Sequence, residues 1–180
     1  LPAVRGVHPR LLFSPADVTQ AQERYQADPK ALADYLPTKL APLTSTTRTE
    51  CDRALQLAAA YLLTNKREYL DVLSTWIPSL DSYKSVGLTE RVPFEKDSTG
   101  DLYSGHFLLT LSLVYDMVVG RGNPKLDTAL QRALTAQAEH TYRAIHELGS
   151  YHYEQNHLTI PNAGLVLACL TLAEVEPRTG

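Results

Sequence analysis

The sequence has few of the residues that mark disulfide scaffolds, metal sites or nucleic-acid binders. Only two cysteines, Cys51 and Cys169, occur among 180 residues, and they form neither a CxxC pair nor a Cys/His ligand spacing. The formal net charge is -3 at pH 7, whereas nucleic-acid binders usually carry a basic excess. We therefore expect no metal site, no cofactor in this segment and no nucleic-acid partner.

The two cysteines lie in apolar stretches that we predict to be helical. We interpret both as small buried side chains. A disulfide between Cys51 and Cys169 remains an alternative, because a pair of cysteines does not by itself define a bridge.

Long apolar runs, a starting methionine and a signal peptide are also lacking. Without a run of about 18 apolar residues, we predict no membrane-spanning helix and no membrane partner. The chain opens on Leu1-Pro2-Ala3-Val4, which fits a processed N-terminus. We therefore expect a secreted or periplasmic protein.

Helix signals follow one another along the chain, and no convincing strand alternation interrupts them. Hydrophobic residues make up 44% and charged residues 21%, which is typical of a folded domain. We predict an all-α fold of antiparallel helical hairpins, one domain over residues 1–180. The predicted helices cover about 15–26, 29–37, 48–63, 66–77, 101–119, 124–148 and 159–174.

Two candidate capping boxes mark the predicted second hairpin. Thr47 with Glu50, and Asn65 with Glu68, have the spacing of a box that begins a helix. We therefore expect each pair to cap a helix N-terminus, with the two helices antiparallel.

The last predicted helix is apolar on nearly all sides between Leu165 and Leu172. Such a helix usually lies inside a structure. An isolated helical array would expose it, so we expect the remaining part of a larger protein or assembly to cover it.

The segment Tyr151-His152-Tyr153-Glu154-Gln155-Asn156-His157 places seven hydrogen-bonding side chains together. Aromatic rings beside polar groups suit a sugar, whose C–H face stacks on rings while its hydroxyls need hydrogen-bond partners. The alternative is a solvated loop whose polar side chains cap the next helix.

Three segments together resemble one enzyme family. The segment Asn156-His157-Leu158-Thr159-Ile160-Pro161-Asn162-Ala163-Gly164-Leu165 resembles the Asn-His segment of the heparinase II/III-like polysaccharide lyases and the related dermatan-sulfate epimerases. The opening His8-Pro9-Arg10-Leu11-Leu12-Phe13 is similar to the start of that family's helical region. The helix from Asp101 to Leu113-Val114-Tyr115-Asp116 resembles a third family segment, with Met117 in place of the usual aromatic residue.

The resemblance implies the N-terminal helical region of a multidomain enzyme, part of an incomplete (α/α) toroid. It implies β-elimination or C5-epimerisation at a uronic acid of an anionic polysaccharide, a glycosaminoglycan- or alginate-like polymer. Asn156 matches the residue that neutralises the uronate carboxylate, and His157 matches the general base. The family's catalytic Tyr and further His residues come later in chain order, so we expect this segment alone to be inactive.

Four further residues are candidate substrate contacts: Tyr153, Gln155, Tyr103 and His106. Adjacent helical residues point about 100° apart. We therefore expect an irregular backbone at Asn156 and His157, which would let both side chains reach one cleft before the helix begins.

Other polar and aromatic residues have plainer interpretations. We interpret Trp76, Tyr115 and Asp116 as packing residues. Arg91 and Lys96 are candidate contacts for a carboxylate or sulfate, or else residues of a solvated loop.

Three other functions remain open from the sequence. A uronate C5-epimerase would share the first proton removal with the lyase. A glycoside hydrolase would need two opposed carboxylates, for which Glu154, Asp101 and Glu95 are the candidates. A non-catalytic helical binding or scaffold module would leave the Tyr-His segment as an ordinary loop.

Overall fold

The computed structural model describes residues 8–9, 11–88, 100–147 and 156–173. All regular structure in these ranges is helical, as predicted. The α-helices are α1 (Pro15–Ala27), α2 (Arg48–Thr64), α3 (Arg67–Ser74), α4 (Ile77–Asp81), α5 (Gly100–Val118), α6 (Pro124–Glu147) and α7 (Asn156–Leu172), and a 3₁₀ helix covers Pro29–Tyr35.

Helices α2, α5 and α7 run in the same direction. The Tyr103 hydroxyl, near the start of α5, donates to the Thr46 carbonyl just before α2, at 3.0 Å. His157, near the start of α7, contacts Asp101 at the start of α5. The N-termini of these three helices therefore meet at one end of the molecule, which we call the Asp101 end.

The remaining long segments run back beside this row. Helix α3 packs against α2, and α6 packs against α4, α5 and α7. The described helices are therefore three parallel ones, α2, α5 and α7, with α3, α4 and α6 packed beside them.

Helix α5 is the centre of the core, because it contacts α2, α6 and α7. Its sequence carries no charged side chain between Asp101 and Asp116, so nearly the whole helix can be buried. Each large apolar side chain removed from water contributes about 1.5–3 kcal/mol. The fully buried apolar residues of α5 are Phe107, Leu108, Leu111, Val114 and Val118.

Helices α5 and α7 touch through their backbones. A Cβ atom on Gly105 would lie 2.5 Å from Ile160 Cγ2, and one on Gly164 would lie 2.5 Å from the Gly105 carbonyl oxygen. Only glycine fits at either position without a shift of the helices. This contact, about one turn beyond Asp101 and two turns beyond His157, sets the spacing of the two helix N-termini.

The start of α1 follows the sequence signals. Ser14 and Asp17 form the capping box at the start of α1, with Ser14 N–H donating to the Asp17 carboxylate at 2.8 Å. The predicted start of the first helix at residue 15 is therefore confirmed.

The two boxes predicted for the second hairpin are wrong. The Thr47 side chain makes no capping hydrogen bond, because the Glu50 carboxylate instead accepts from Thr44 N–H and pairs with Arg53. Asn65 is the C-cap of α2, in the left-handed conformation with φ of 57°. Asn tolerates this conformation better than most residues.

Trp76 interrupts the predicted continuous helix between α3 and α4. Its ring is fully buried, and its indole N–H donates to the Ser45 carbonyl at 2.6 Å. The interpretation of Trp76 as a core residue is confirmed, and its hydrogen bond also holds the loop before α2.

The cysteines differ in their surroundings, and neither forms a disulfide. Cys51 is buried, as expected, and burial raises the pKa of its thiol. Cys169 is exposed on α7, so the prediction that it is buried is wrong. Its face of α7 also exposes Val166 and Leu170, whereas Leu165 and Ala168 on the opposite face are buried.

The N-terminal segment is held to the far end of α5. His8 Nδ1 lies 2.6 Å from Asp116 Oδ1, and Leu11 N–H donates to Asp116 Oδ2 at 2.9 Å. Asp116 is buried, as a packing residue would be, but it also binds a segment about 100 residues earlier. Two of the three segments that carry the family resemblance therefore contact each other.

Replacing Gly105 with Ala tests the backbone contact. In an exposed helix this change normally stabilises by about 1 kcal/mol. Here the added methyl collides with Ile160, so we expect the free energy of unfolding in urea to fall by about 1–3 kcal/mol. Ala163→Ser, on the exposed face of α7, is the control and should change it little. A stabilised Gly105→Ala variant would contradict the close approach.

Replacing His8 with Ala tests the contact with Asp116. The variant loses one hydrogen-bond partner of a buried carboxylate, so we expect a destabilisation of about 1–3 kcal/mol in chemical denaturation. His146→Ala, at an exposed position of α6, should stay within about 0.5 kcal/mol of the parent. Equal effects of the two substitutions would show that the His8–Asp116 contact contributes nothing to the free energy of unfolding.

Candidate functional site

The geometry at the Asp101 end centres on His157 and Asp101. His157 Nδ1 lies 2.7 Å from Asp101 Oδ2. The Asp101 side chain is 0% exposed, whereas that of His157 is 40% exposed. One partner of this pair is therefore anchored in the core and the other reaches solvent.

This pairing fixes the tautomer of the imidazole. An ionised carboxylate can only accept hydrogen bonds, so His157 Nδ1 must carry the proton that it donates to Asp101. In the neutral form of the ring, Nε2 is then the acceptor. A histidine in this state is suited to act as a general base.

Asp101 is held by its position in the first turn of α5. Its Oδ1 accepts from Leu102 N–H at 2.6 Å, and its own N–H donates to the Leu88 carbonyl at 3.0 Å. The positive end of the α5 dipole also favours a carboxylate here. These contacts stabilise a fully buried charge that an apolar site would reject.

The backbone at the Asn-His segment differs from the expectation. Helix α7 begins at Asn156 and includes Pro161, so the predicted irregular backbone at Asn156 and His157 is wrong. Pro161 disfavours helix in the residue before it, but the Gly164 contact and the His157–Asp101 hydrogen bond hold this first part of α7 against α5. The Asn162 side chain also donates to the Leu158 carbonyl at 2.9 Å.

Several predicted site residues lie outside the described residues. These are Tyr153, Gln155 and Glu154 before α7, Arg91, Glu95 and Lys96 before α5, and the side chain of Asn156. Among the predicted catalytic and substrate-binding residues, the structure therefore describes the side chains of His157, Tyr103 and His106.

Tyr103 and His106 lie on the side of α5 that faces α2. Tyr103 is buried and lines a pocket of about 460 Å³ between the start of α2, the end of α4 and α5. His106 is half-buried beside Arg48 and Asp52 of α2. Tyr103 and His106 therefore lie toward α2, whereas His157 contacts Asp101 from the α7 side.

Burial raises the pKa of Tyr103 to about 12, although a side-chain hydrogen bond with Thr46 opposes the shift. The hydroxyl is therefore protonated at neutral pH. Tyr103 can act there as a ring surface and not as a base, because its hydroxyl proton is donated to the Thr46 carbonyl.

The sequence predicts Asp101 only as a candidate acid of a glycoside hydrolase, whereas the structure places its buried carboxylate 2.7 Å from His157. The sequence does contain a signal for a partner of Asp101, because this lone carboxylate begins a long apolar helix. A carboxylate is almost never fully buried unless it is paired. The sequence did not show which of its histidines supplies the partner.

No protein-family model matches the chain, and no match was found among curated proteins or solved structures. Within the described ranges, no helix is long and apolar enough to cross a membrane. The same ranges contain no group of three or more His, Cys, Asp or Glu side chains placed to hold a metal ion.

The tautomer of His157 can be measured directly. Long-range ¹H–¹⁵N spectra at neutral pH should show a protonated Nδ1 and an unprotonated Nε2 for His157. Asp101→Asn removes the obligate acceptor, so we expect the signals to move toward the opposite tautomer. Asp81→Asn, at an exposed ion pair with Arg132, should leave them unchanged. An unaltered tautomer in Asp101→Asn would contradict the assigned role of Asp101.

Proposed function

We propose that this chain forms one wall of the active site of a uronic-acid polysaccharide lyase of the heparinase II/III-like type. The observation that carries the proposal is the exposed imidazole of His157, held in one tautomer by a fully buried carboxylate. A structural histidine does not need to combine these two properties. A general base needs both, because it must be oriented and also reachable by substrate.

In the proposed reaction, His157 Nε2 removes the C5 proton of a uronate unit. The electron pair of the C5–H bond forms the C4–C5 double bond, and the C4–O bond to the leaving sugar breaks. The imidazolium that results is stabilised by the Asp101 carboxylate at 2.7 Å from Nδ1. The leaving oxygen takes its proton from an acid that we expect in the remaining part of the enzyme.

The C5 proton becomes removable only when charge on the neighbouring carboxylate is stabilised. We assign this role to Asn156, the first residue of α7. The unpaired backbone N–H groups at a helix N-terminus also favour an anion. Because α5 and α7 both begin at the Asp101 end, two helix dipoles present their positive ends there.

The arrangement of helices supports the same assignment. Parallel inner helices joined by antiparallel outer ones are the repeating unit that an (α/α) toroid requires. Of the three segments that carry the family resemblance, the N-terminal one and the one in α7 both contact the third, α5, although they are far apart in sequence. Asp116 binds His8, 108 residues away, and Asp101 binds His157, 56 residues away.

The burial of Asp101 does not favour the glycoside hydrolase. That chemistry needs a carboxyl group that reaches the glycosidic oxygen or a water, whereas Asp101 is enclosed and already bound to His157. We propose a secreted enzyme acting on a glycosaminoglycan- or alginate-like polymer, with its acid supplied by its remaining domains.

The test uses the full-length protein with heparan sulfate, dermatan or chondroitin sulfate, hyaluronan and alginate. Ultraviolet absorbance reports the unsaturated uronate, and C5 exchange with solvent deuterium reports proton removal without elimination. We expect His157→Ala to abolish both signals. Asp101→Asn should lower kcat by about 10²–10⁴-fold with a smaller change in KM, and Asp81→Asn should have little effect.

Exchange without elimination would assign the chain to a uronate epimerase, which begins with the same proton removal. Neither signal on any of the polymers would refute the proposed chemistry. Full activity in His157→Ala would refute the role of this residue even if the enzyme is a lyase.

A further inference from the structure

A second feature of the Asp101 end is the pocket on the α2 side of α5, of about 460 Å³. We call it the hydroxyl pocket, because its wall includes Thr44, Ser45, Thr46, Thr47, Ser79 and Ser82. Its volume lies within the range of about 300–1,000 Å³ that is usual for small-molecule sites. The lyase chemistry proposed for His157 does not use it.

We propose that the hydroxyl pocket binds a neutral saccharide unit. Each Ser or Thr hydroxyl can both donate and accept a hydrogen bond, which matches the hydroxyls of a sugar. Tyr83 and Tyr103 add ring surface to the wall, and Lys84 is the single charged side chain of its described lining. Because Lys84 is exposed at the rim, the interior of the pocket favours an uncharged ligand.

The loop that forms the wall is held in place before any ligand arrives. The Thr46 carbonyl accepts from the Tyr103 hydroxyl at 3.0 Å, and the Ser45 carbonyl accepts from Trp76 at 2.6 Å. Leu43 N–H donates to Thr75 Oγ1 at 2.8 Å. A binding surface fixed in this way loses little conformational freedom when it takes up a ligand.

The opposite wall is fixed by a buried amide. The Tyr83 hydroxyl donates to Gln137 Oε1, and Val86 N–H donates to the same oxygen at 3.0 Å. Gln137 Nε2 donates to Ser104 Oγ at 2.9 Å. The two tyrosine rings are packed against Phe107, with centroid separations of 4.4 Å for Tyr83 and 5.5 Å for Tyr103.

The pocket and His157 lie on different sides of α5 but at the same end. Tyr103 follows Asp101 by two residues, which is about 3 Å along the helix axis. Saccharide binding in the pocket does not require the proposed lyase activity, so the two proposals can fail separately.

The experiment measures binding of glucose and N-acetylglucosamine, with glucuronate as the charged comparison. Saturation-transfer NMR detects binding to the chain, and ¹H–¹⁵N shift changes locate it and give Kd. We expect the neutral sugars to shift the amides of residues 44–47 and 82–86. Ser82→Trp, which fills the pocket from its exposed rim, should abolish these shifts.

Thr47→Val removes one exposed hydroxyl at nearly constant volume and keeps the test valid if Ser82→Trp fails to fold. We expect it to raise Kd by about 2- to 10-fold. Thr128→Trp, on the exposed side of α6, is the matched control for Ser82→Trp and should bind like the parent. His157→Ala should also bind like the parent.

Four outcomes would overturn the proposal. They are no binding of either neutral sugar, binding that both pocket variants leave unchanged, binding of glucuronate alone, and loss of binding in His157→Ala. The last would place the ligand at His157 and not in the hydroxyl pocket.

Discussion

The backbone contact between α5 and α7 is the constraint on which the rest of the Asp101 end depends. Gly105 and Gly164 let the two helices approach until a single methyl group would collide with the neighbouring backbone. Because the helices are parallel, a contact one or two turns from their N-termini also fixes how those N-termini face each other. A larger side chain at either glycine would separate the helices and with them the side chains of Asp101 and His157.

Helix α5 carries one buried carboxylate near each of its two ends, and the two have the same kind of partner. Each is buried in the core, and each accepts from the imidazole of a histidine that is distant in sequence. A buried charge is tolerated only when it is paired and hydrogen-bonded. Each carboxylate therefore stabilises the packing in which its histidine lies beside it. Asp116 holds the N-terminal segment, and Asp101 holds the start of α7. The two pairs differ in the exposure of the histidine: the side chain of His157 is 40% exposed and that of His8 is 16% exposed.

The Asp101 end therefore combines an imidazole held by a buried carboxylate with a pocket whose walls are held by hydrogen bonds. The side chain of His157 is 40% exposed, and the hydroxyl pocket is lined by hydroxyls and rings held by hydrogen bonds from the core. Both are built on α5, the buried helix that contacts α2, α6 and α7.

The sequence by itself determined the helical class, the bounds of α1, α5 and α6 to within about two residues, and His157 as a candidate base. These follow from local rules, such as the cap at Ser14, the apolar run of α5 and the proline that begins α6. Only the tertiary structure decided that Asp101 is the partner of His157, that α7 begins at Asn156, and that Asn65 ends a helix instead of starting one. Each of these depends on the energy of contacts between distant segments, which can exceed the local preference of a proline or a capping pattern.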